Sequence, residues 1–152
     1  MEIQSIAFED LTVGQTAQKQ FRVSAENVLE FARISGDNNP VHLDPAYAAR
    51  TPFGQVIAPG LLVSSHISAL IAMRLPGPGS IYVQQNLKFR APVFLDEELT
   101  AAVVIQELKS EGRRVVLSTS VTKADGEAAI SGFAIVKAPR ESSVVEVEPL
   151  DA

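Results

Sequence analysis

Two side chains able to move protons stand five residues apart in a turn-forming segment. Residues 31–42 read FARISGDNNPVH, with Asp37 and His42 on either side of Asn38-Asn39-Pro40. A carboxylate and an imidazole facing one water can do general acid–base work, one taking a proton while the other gives or orients one. Histidine changes charge most readily near neutral pH, and the chain holds only two, His42 and His66. An extended span of this length would separate Asp37 from His42 by roughly 15 Å or more, so a tight turn is needed to join them. Pro40 fixes one backbone angle and pushes Asn39 towards an extended conformation, which stiffens such a turn. A plainer reading stands beside this one. Asp37 can cap the turn through its own backbone, and His42 can be a partly buried, hydrogen-bonded residue. Spacing alone leaves both open.

A second feature is Ala58-Pro59-Gly60 at the head of an apolar segment. Helix N-termini present unpaired N–H groups and a partial positive charge. Gly60 has no side chain, so a ligand oxygen can approach its N–H closely, and such a donor would stabilise an enolate oxygen developing on a thioester carbonyl. Equally, Gly60 can serve only close helix–sheet packing. Ser64 and Ser68 lie four apart on one helical face; Ser68 is placed to bond Asp37 or to bond back to its own helix. His66 lies well around the helix from Ser68, at roughly 100° per residue, and reads as a satisfied core or interface histidine.

These groups need elements to hold them. Thr16 to Val23 reads as a strand. Ser24 is a candidate N-cap with Glu26 in the first turn, and Val28, Leu29, Phe31, Ala32 and Ile34 form a helical apolar stripe that should stop at Ser35-Gly36. Asp37 to Pro40 is a dense turn signal. Asp44-Pro45 reads as the cap and first residue of a short helix to Arg50. Residues 51–58 read as a loop. The main, buried helix is expected to start at Pro59 and end before Pro76, where Pro-Gly-Pro-Gly breaks the chain. Strands are expected at Ile81 to Arg90, Leu99 to Leu108, Val115 to Lys123 and Ala128 to Lys137, with hairpin signals at Glu111-Gly112 and Asp125-Gly126. Helical and stranded halves point to an α+β domain in which a curled antiparallel sheet wraps one apolar helix. The domain is expected to occupy residues 1–138, with 139–152 a polar, acidic, loose C-terminal tail.

Composition narrows the function. The 152 residues are 46% hydrophobic and 20% charged, suited to one core. A net charge of −5 with 13 scattered basic residues argues against nucleic-acid binding. No cysteine is present, so thiolate nucleophiles, disulfides and cysteine metal sites are excluded; this fits the cytoplasm, where we expect the protein to act. Met1 to Leu11 carries three acidic residues and no apolar core, unlike a secretory signal. The most apolar stretch, Pro59 to Met73, is short of the roughly 20 residues a membrane span needs and is interrupted by serines and His66. No membrane association is expected.

The segment FARISGDNNPVHLDPAYA resembles the hydratase 2 motif of MaoC-like dehydratases: an aromatic residue, a small-residue turn, Gly-Asp-x-Asn-Pro, an aliphatic residue and His. The resemblance extends through VIAPGLLVSSHISALIAMRLPGPGSIYVQQNLKFRAPVF, which is similar to the helix and following strand of short (R)-specific enoyl-CoA hydratases, and covers about Val13 to Lys137. It implies a single hotdog domain acting as a homodimer, and reversible addition of water to a trans-2-enoyl thioester to give an (R)-3-hydroxyacyl thioester. Asp37 and His42 match the family's catalytic pair, Gly60 the glycine whose N–H receives the thioester oxygen, and Ser68 a serine associated with the catalytic Asp. Asn39 matches the motif asparagine, holding the loop or polarising the site. One departure stands out. Many relatives carry His directly before this glycine, where the chain has Pro59, so any role of that histidine in shaping the pocket is lost.

The resemblance implies no cofactor and no metal, with an acyl-CoA as substrate. Coenzyme A carries phosphates, so cations are expected near the site mouth. Lys88 and Arg90 alternate with Phe89 and are expected to face away from it, reaching a phosphate or lying solvated. Alternative readings are a (3R)-hydroxyacyl-carrier-protein dehydratase, which the same pair would serve, and a non-catalytic acyl-thioester-binding module, against which the set Asp37, Asn39, His42 and Gly60 argues. A hotdog thioesterase would want a carboxylate on the central helix, and residues 59–74 contain none.

Overall fold

Alternation in the second half of the chain sorts side chains onto two faces of a sheet. Leu99, Ala101, Val103 and Ile105 point one way, as do Val115, Leu117, Thr119 and Val121, and all eight are buried. In the computed structural model, which describes residues 1–150, these runs lie in β4 (Leu99–Lys109) and β5 (Arg114–Lys123). With β2 (Thr16–Phe21), β3 (Ile81–Phe89) and β6 (Ala128–Lys137) they form a five-stranded antiparallel sheet ordered β2-β4-β5-β6-β3. Register shifts at Tyr82/Gln84, Ile105/Glu107 and Val121/Thr122 supply the bulges that curl such a sheet.

The concave face holds α4 (Gly60–Met73). Its buried stripe of Val63, Ile67, Leu70 and Ile71 packs across β4 and β5 and reaches β2. This is the expected α+β arrangement of a sheet around a central helix. The helix is buried on that stripe alone: Leu61, Ser65 and Ser68 on other faces are exposed. Pro59 serves as the N-cap rather than the first helical residue.

Three further helices precede it. They are α1 (Ala25–Ser35), α2 (Pro40–Leu43) and α3 (Pro45–Ala49). Ser24 caps α1 through a reciprocal box with Asn27, and Gly36 ends it at φ 79°. The turn expected at residues 37–40 continues into α2, because Asn39 accepts from Val41 N–H and Pro40 takes the first helical position, where its missing N–H costs nothing.

The chain ends differ from the expectation of a loose tail. β7 (Ser143–Glu146) pairs antiparallel with β1 (Glu2–Ser5), in register from Glu2↔Glu146 to Ser5↔Ser143. Ser142 Oγ accepts from Ala7 N–H at 2.8 Å and donates to Asp10. The partners stand at opposite ends of the sequence, so no local pattern announces them. Asp151 and Ala152 lie outside the described residues. No helix among those described is long and apolar enough to cross a membrane.

Candidate active site

The end of α1 sets the position of Asp37. Val28 and Ala32 bury one face of the helix, and Gly36 closes it with a hydrogen bond from its N–H to Ala32 O at 2.9 Å. Ser35 Oγ donates to Phe31 O at 2.6 Å and accepts from Asp37 N–H at 3.1 Å. The Asp37 carboxylate is held in turn: Oδ1 accepts from Asn39 N–H at 3.2 Å, which leaves Oδ2 free to point elsewhere.

It points at His42. Oδ2 and Nε2 stand 3.9 Å apart, with Asp37 39% and His42 12% exposed in their side chains. On its other side the ring is anchored, with Nδ1 2.7 Å from Ile57 O. A carbonyl only accepts, so Nδ1 carries a proton, and Nε2 is the ring nitrogen turned towards Asp37. At 3.9 Å the pair is too far apart for a direct hydrogen bond and suitably spaced for one water to contact both. The loop carrying Ile57 is itself pinned. Ile57 N–H donates to Val41 O at 3.3 Å and Ala58 N–H to Val93 O at 2.8 Å, while Ile57 and Phe94 form an isolated bridge.

Asp37, His42 and Gly60 line one cleft of about 570 Å³. Its floor is made by the buried Ala58, Val63, Val93 and Ile130, and its walls by Phe31, Phe53 and Phe89. Polar side chains in the lining are few, namely Ser35, Asp37, His42 and Arg90, the usual character of a small-molecule site. Gly60 opens α4, where no side chain caps the helix, so its N–H belongs to the orphan donors of the first turn. Both roles considered for Gly60 have support. A Cβ there would lie 2.5 Å from Cε1 and 2.6 Å from Cδ1 of Phe89, so the missing side chain lets that ring lie against the helix start.

Other expected residues are placed as follows. Asn39 is exposed and holds the loop as the N-cap of α2. Ser68 is exposed, lies outside the cleft lining, and is not joined to Asp37 within the chain. Eight residues of helix put it roughly 12 Å along the axis from Gly60. Lys88, a candidate phosphate contact, is exposed and is not among the residues that line the cleft. Arg90, the other candidate, follows the end of β3 and does line the cleft, with Nε donating to Ser131 Oγ at 2.6 Å. His66 stacks on Phe21 with ring centroids 3.7 Å apart. Desolvation, and secondarily the nearby Lys19 charge, push its pKa down to about 4, so it is a neutral packing residue away from the dyad. Among the described residues no group of three or more His, Asp or Glu is arranged to hold a metal.

Several contributors escaped the sequence reading. Ser35 and the three aromatic walls carry a weak signal, a hydroxyl two residues before Asp37 and phenylalanines flanking the motifs. The carbonyl of Ile57 carries none, since every residue has one.

Comparison with known proteins agrees with this geometry. Residues 10–128 match the model of the MaoC-like domain family. A 3-hydroxybutyryl-CoA dehydratase of Methylorubrum extorquens is 43% identical over 149 residues, covering 98% of this chain and 92% of the relative. An (R)-specific enoyl-CoA hydratase of Aeromonas caviae is 43% identical over 131 residues, covering 86% of this chain and 98% of the relative. Among solved structures, an unliganded R-hydratase from Pseudomonas aeruginosa superimposes with a TM-score of 0.93 at 40% identity, over 100% of this chain and 97% of that one.

Proposed function

The chain belongs to the MaoC-like family, and from that membership we propose that it is an (R)-specific enoyl-CoA hydratase, a hydro-lyase that adds water reversibly to trans-2-enoyl-CoA to give (R)-3-hydroxyacyl-CoA. The observation that carries the reading is the anchored dyad: Asp37 Oδ2 and His42 Nε2 are 3.9 Å apart in a mostly apolar cleft that Gly60 also lines.

A water between the two acceptors directs one O–H at each. As the enoyl thioester binds, one proton passes to the dyad and the water oxygen bonds to C3. The C2–C3 π electrons move towards the thioester, and charge collects on its oxygen. Gly60 N–H, at the positive end of α4, meets that oxygen and stabilises the enolate. The proton then passes from the dyad to C2, the carbonyl re-forms, and Asp37 and His42 end in the protonation state in which they began. Asn39 holds the loop under the dyad. The reaction as proposed draws on no cofactor, the coenzyme A thioester being substrate.

Arg90 is the cation best placed for a coenzyme A phosphate, since it lines the cleft while Lys88 does not. A second copy completes the protein in this reading. Strand β3 is a sheet edge with Ile81, Val83 and Phe89 about half exposed, and an unpaired apolar edge favours pairing with its like. Sedimentation equilibrium is expected to give about twice the 16.3 kDa chain mass.

The test of function is loss of enoyl absorbance on incubation with crotonyl-CoA and longer trans-2-enoyl-CoAs, with the product coupled to an (R)-specific dehydrogenase. Rapid formation of (R)-product is expected. A folded protein inert on every coenzyme A substrate, yet active on carrier-protein thioesters, would replace this reading with the carrier-protein dehydratase.

A further inference from the structure

We propose that Ser35 is a positioning residue for the acid–base pair, acting through Asp37, an inference that rests on the hydratase reading above. Its hydroxyl makes two bonds of opposite sense: it donates to Phe31 O at 2.6 Å and accepts from Asp37 N–H at 3.1 Å. The first bond spends the hydroxyl's only proton on the last turn of α1 and so aims a lone pair out past the helix end. The second uses that lone pair to hold the backbone of Asp37.

The need for such a tie follows from the residue between them. Gly36 stands at φ 79° and reverses the chain, and its freedom would otherwise pass to Asp37. A glycine hinge directly before a reacting carboxylate is a poor support, and the Ser35 hydroxyl bridges it. On the far side, Asn39 N–H holds Oδ1 at 3.2 Å. Backbone and carboxylate of Asp37 are thus each fixed by one bond, and Oδ2 is the atom left facing Nε2 of His42. Helix α1 is anchored by the buried Val28 and Ala32, so Ser35 relays the rigidity of the core to the site across two residues. Ser35 also lines the cleft, and the experiment therefore has to separate positioning from direct contact with substrate.

The variants are Ser35→Ala and Ser35→Thr, the latter because threonine keeps a hydroxyl able to bond the carbonyl one helical turn back. Steady-state hydration of crotonyl-CoA and NMR amide exchange of Asp37 are measured on the full chain. Ser35→Ala is expected to lower kcat about tenfold, the effect of losing one orienting hydrogen bond, while KM stays within about twofold. Ser35→Thr should restore kcat. Asp37 amide exchange should accelerate in Ser35→Ala and return towards the wild-type rate in Ser35→Thr. An unchanged kcat in Ser35→Ala overturns the proposal, as does a rise in KM alone, which would make Ser35 a substrate contact. Unaltered Asp37 exchange overturns it too, and this arm needs no turnover. A wild-type protein that does not hydrate enoyl-CoA instead overturns the functional reading, and the exchange arm still reports whether Ser35 holds Asp37.

Discussion

Replacing Gly60 with alanine separates the two roles that its position supports. The added Cβ would stand 2.5 Å from Cε1 and 2.6 Å from Cδ1 of Phe89, against about 3.5–4.0 Å for comfortable carbon contacts. The ring must therefore move by roughly 1 Å or more. It can do so, since Phe89 is 54% exposed at the end of an edge strand. Gly60 is not among the residues at positive φ, so alanine brings no backbone strain. Overpacking of about 1 kcal/mol is expected, a fall in thermal midpoint of about 2–4 °C for a chain of this size. The catalytic effect should be larger. The methyl group occupies space beside the N–H that meets the developing oxyanion, and disturbing one such donor costs about 10²-fold in kcat, or about 2.7 kcal/mol. Phe89→Leu should free the space the methyl needs without shortening the approach of the oxygen. The assay is kcat, KM and thermal midpoint for Gly60→Ala, Phe89→Leu and the double variant. The double variant should recover stability and remain slow. Recovery of kcat to that of Phe89→Leu would show that Gly60 serves packing alone and would refute the oxyanion role.

Three more perturbations follow from the same geometry. Asn39→Ala removes the cap of α2, so stability should fall by about 1 kcal/mol and kcat with it, read by chemical denaturation and turnover. Arg90→Ala should raise KM for crotonyl-CoA about tenfold, the loss expected for a charge-assisted phosphate contact, and leave KM for the phosphate-poor pantetheine thioester unchanged; equal effects on both would remove Arg90 from phosphate binding. His66 has a folded pKa of about 4, below the ordinary 6.5, so the unfolded chain binds more protons between these values and its contribution is present above pH 6.5 and lost as pH falls towards 4. His66→Phe, which keeps a ring to stack on Phe21, should flatten the fall of thermal midpoint in that window, and an unchanged pH profile would contradict the assignment.

What was legible in the sequence divides by range. Ser24, Gly36 and Asp44-Pro45 announce helix ends because capping is local chemistry, and the structure places those ends as read. The strands from Leu99 onward were readable from alternation that one buried face imposes. The β1–β7 ribbon was not, since Glu2–Ser5 and Ser143–Glu146 are short, polar and joined only through space. The site divides the same way. Asp37 and His42 could be singled out from a stiff turn and their types, while the resemblance to the family motif added Asn39 and favoured the catalytic reading of the pair. That His42 is oriented by Ile57 O required the loop 51–58 to fold back on α2, which no local pattern specifies. Lys88 and Arg90 were named together as cations for the site mouth, and alternation could not separate them: Arg90, one residue past the end of β3, lines the cleft and Lys88 does not. Ser68 was brought forward by its helical face and by likeness, and in this chain it stands exposed and makes no bond to Asp37.

The central claim is that Asp37 and His42 act as one unit on one water. Its most direct test is kcat for crotonyl-CoA hydration in the wild type, Asp37→Asn, His42→Ala and the double variant, each shown to be folded. Each single variant is expected to lose about 10²–10⁴-fold, and the double variant little more than the worse single one, because groups acting as a unit are strongly non-additive. A folded Asp37→Asn that turns over at the wild-type rate would contradict the account.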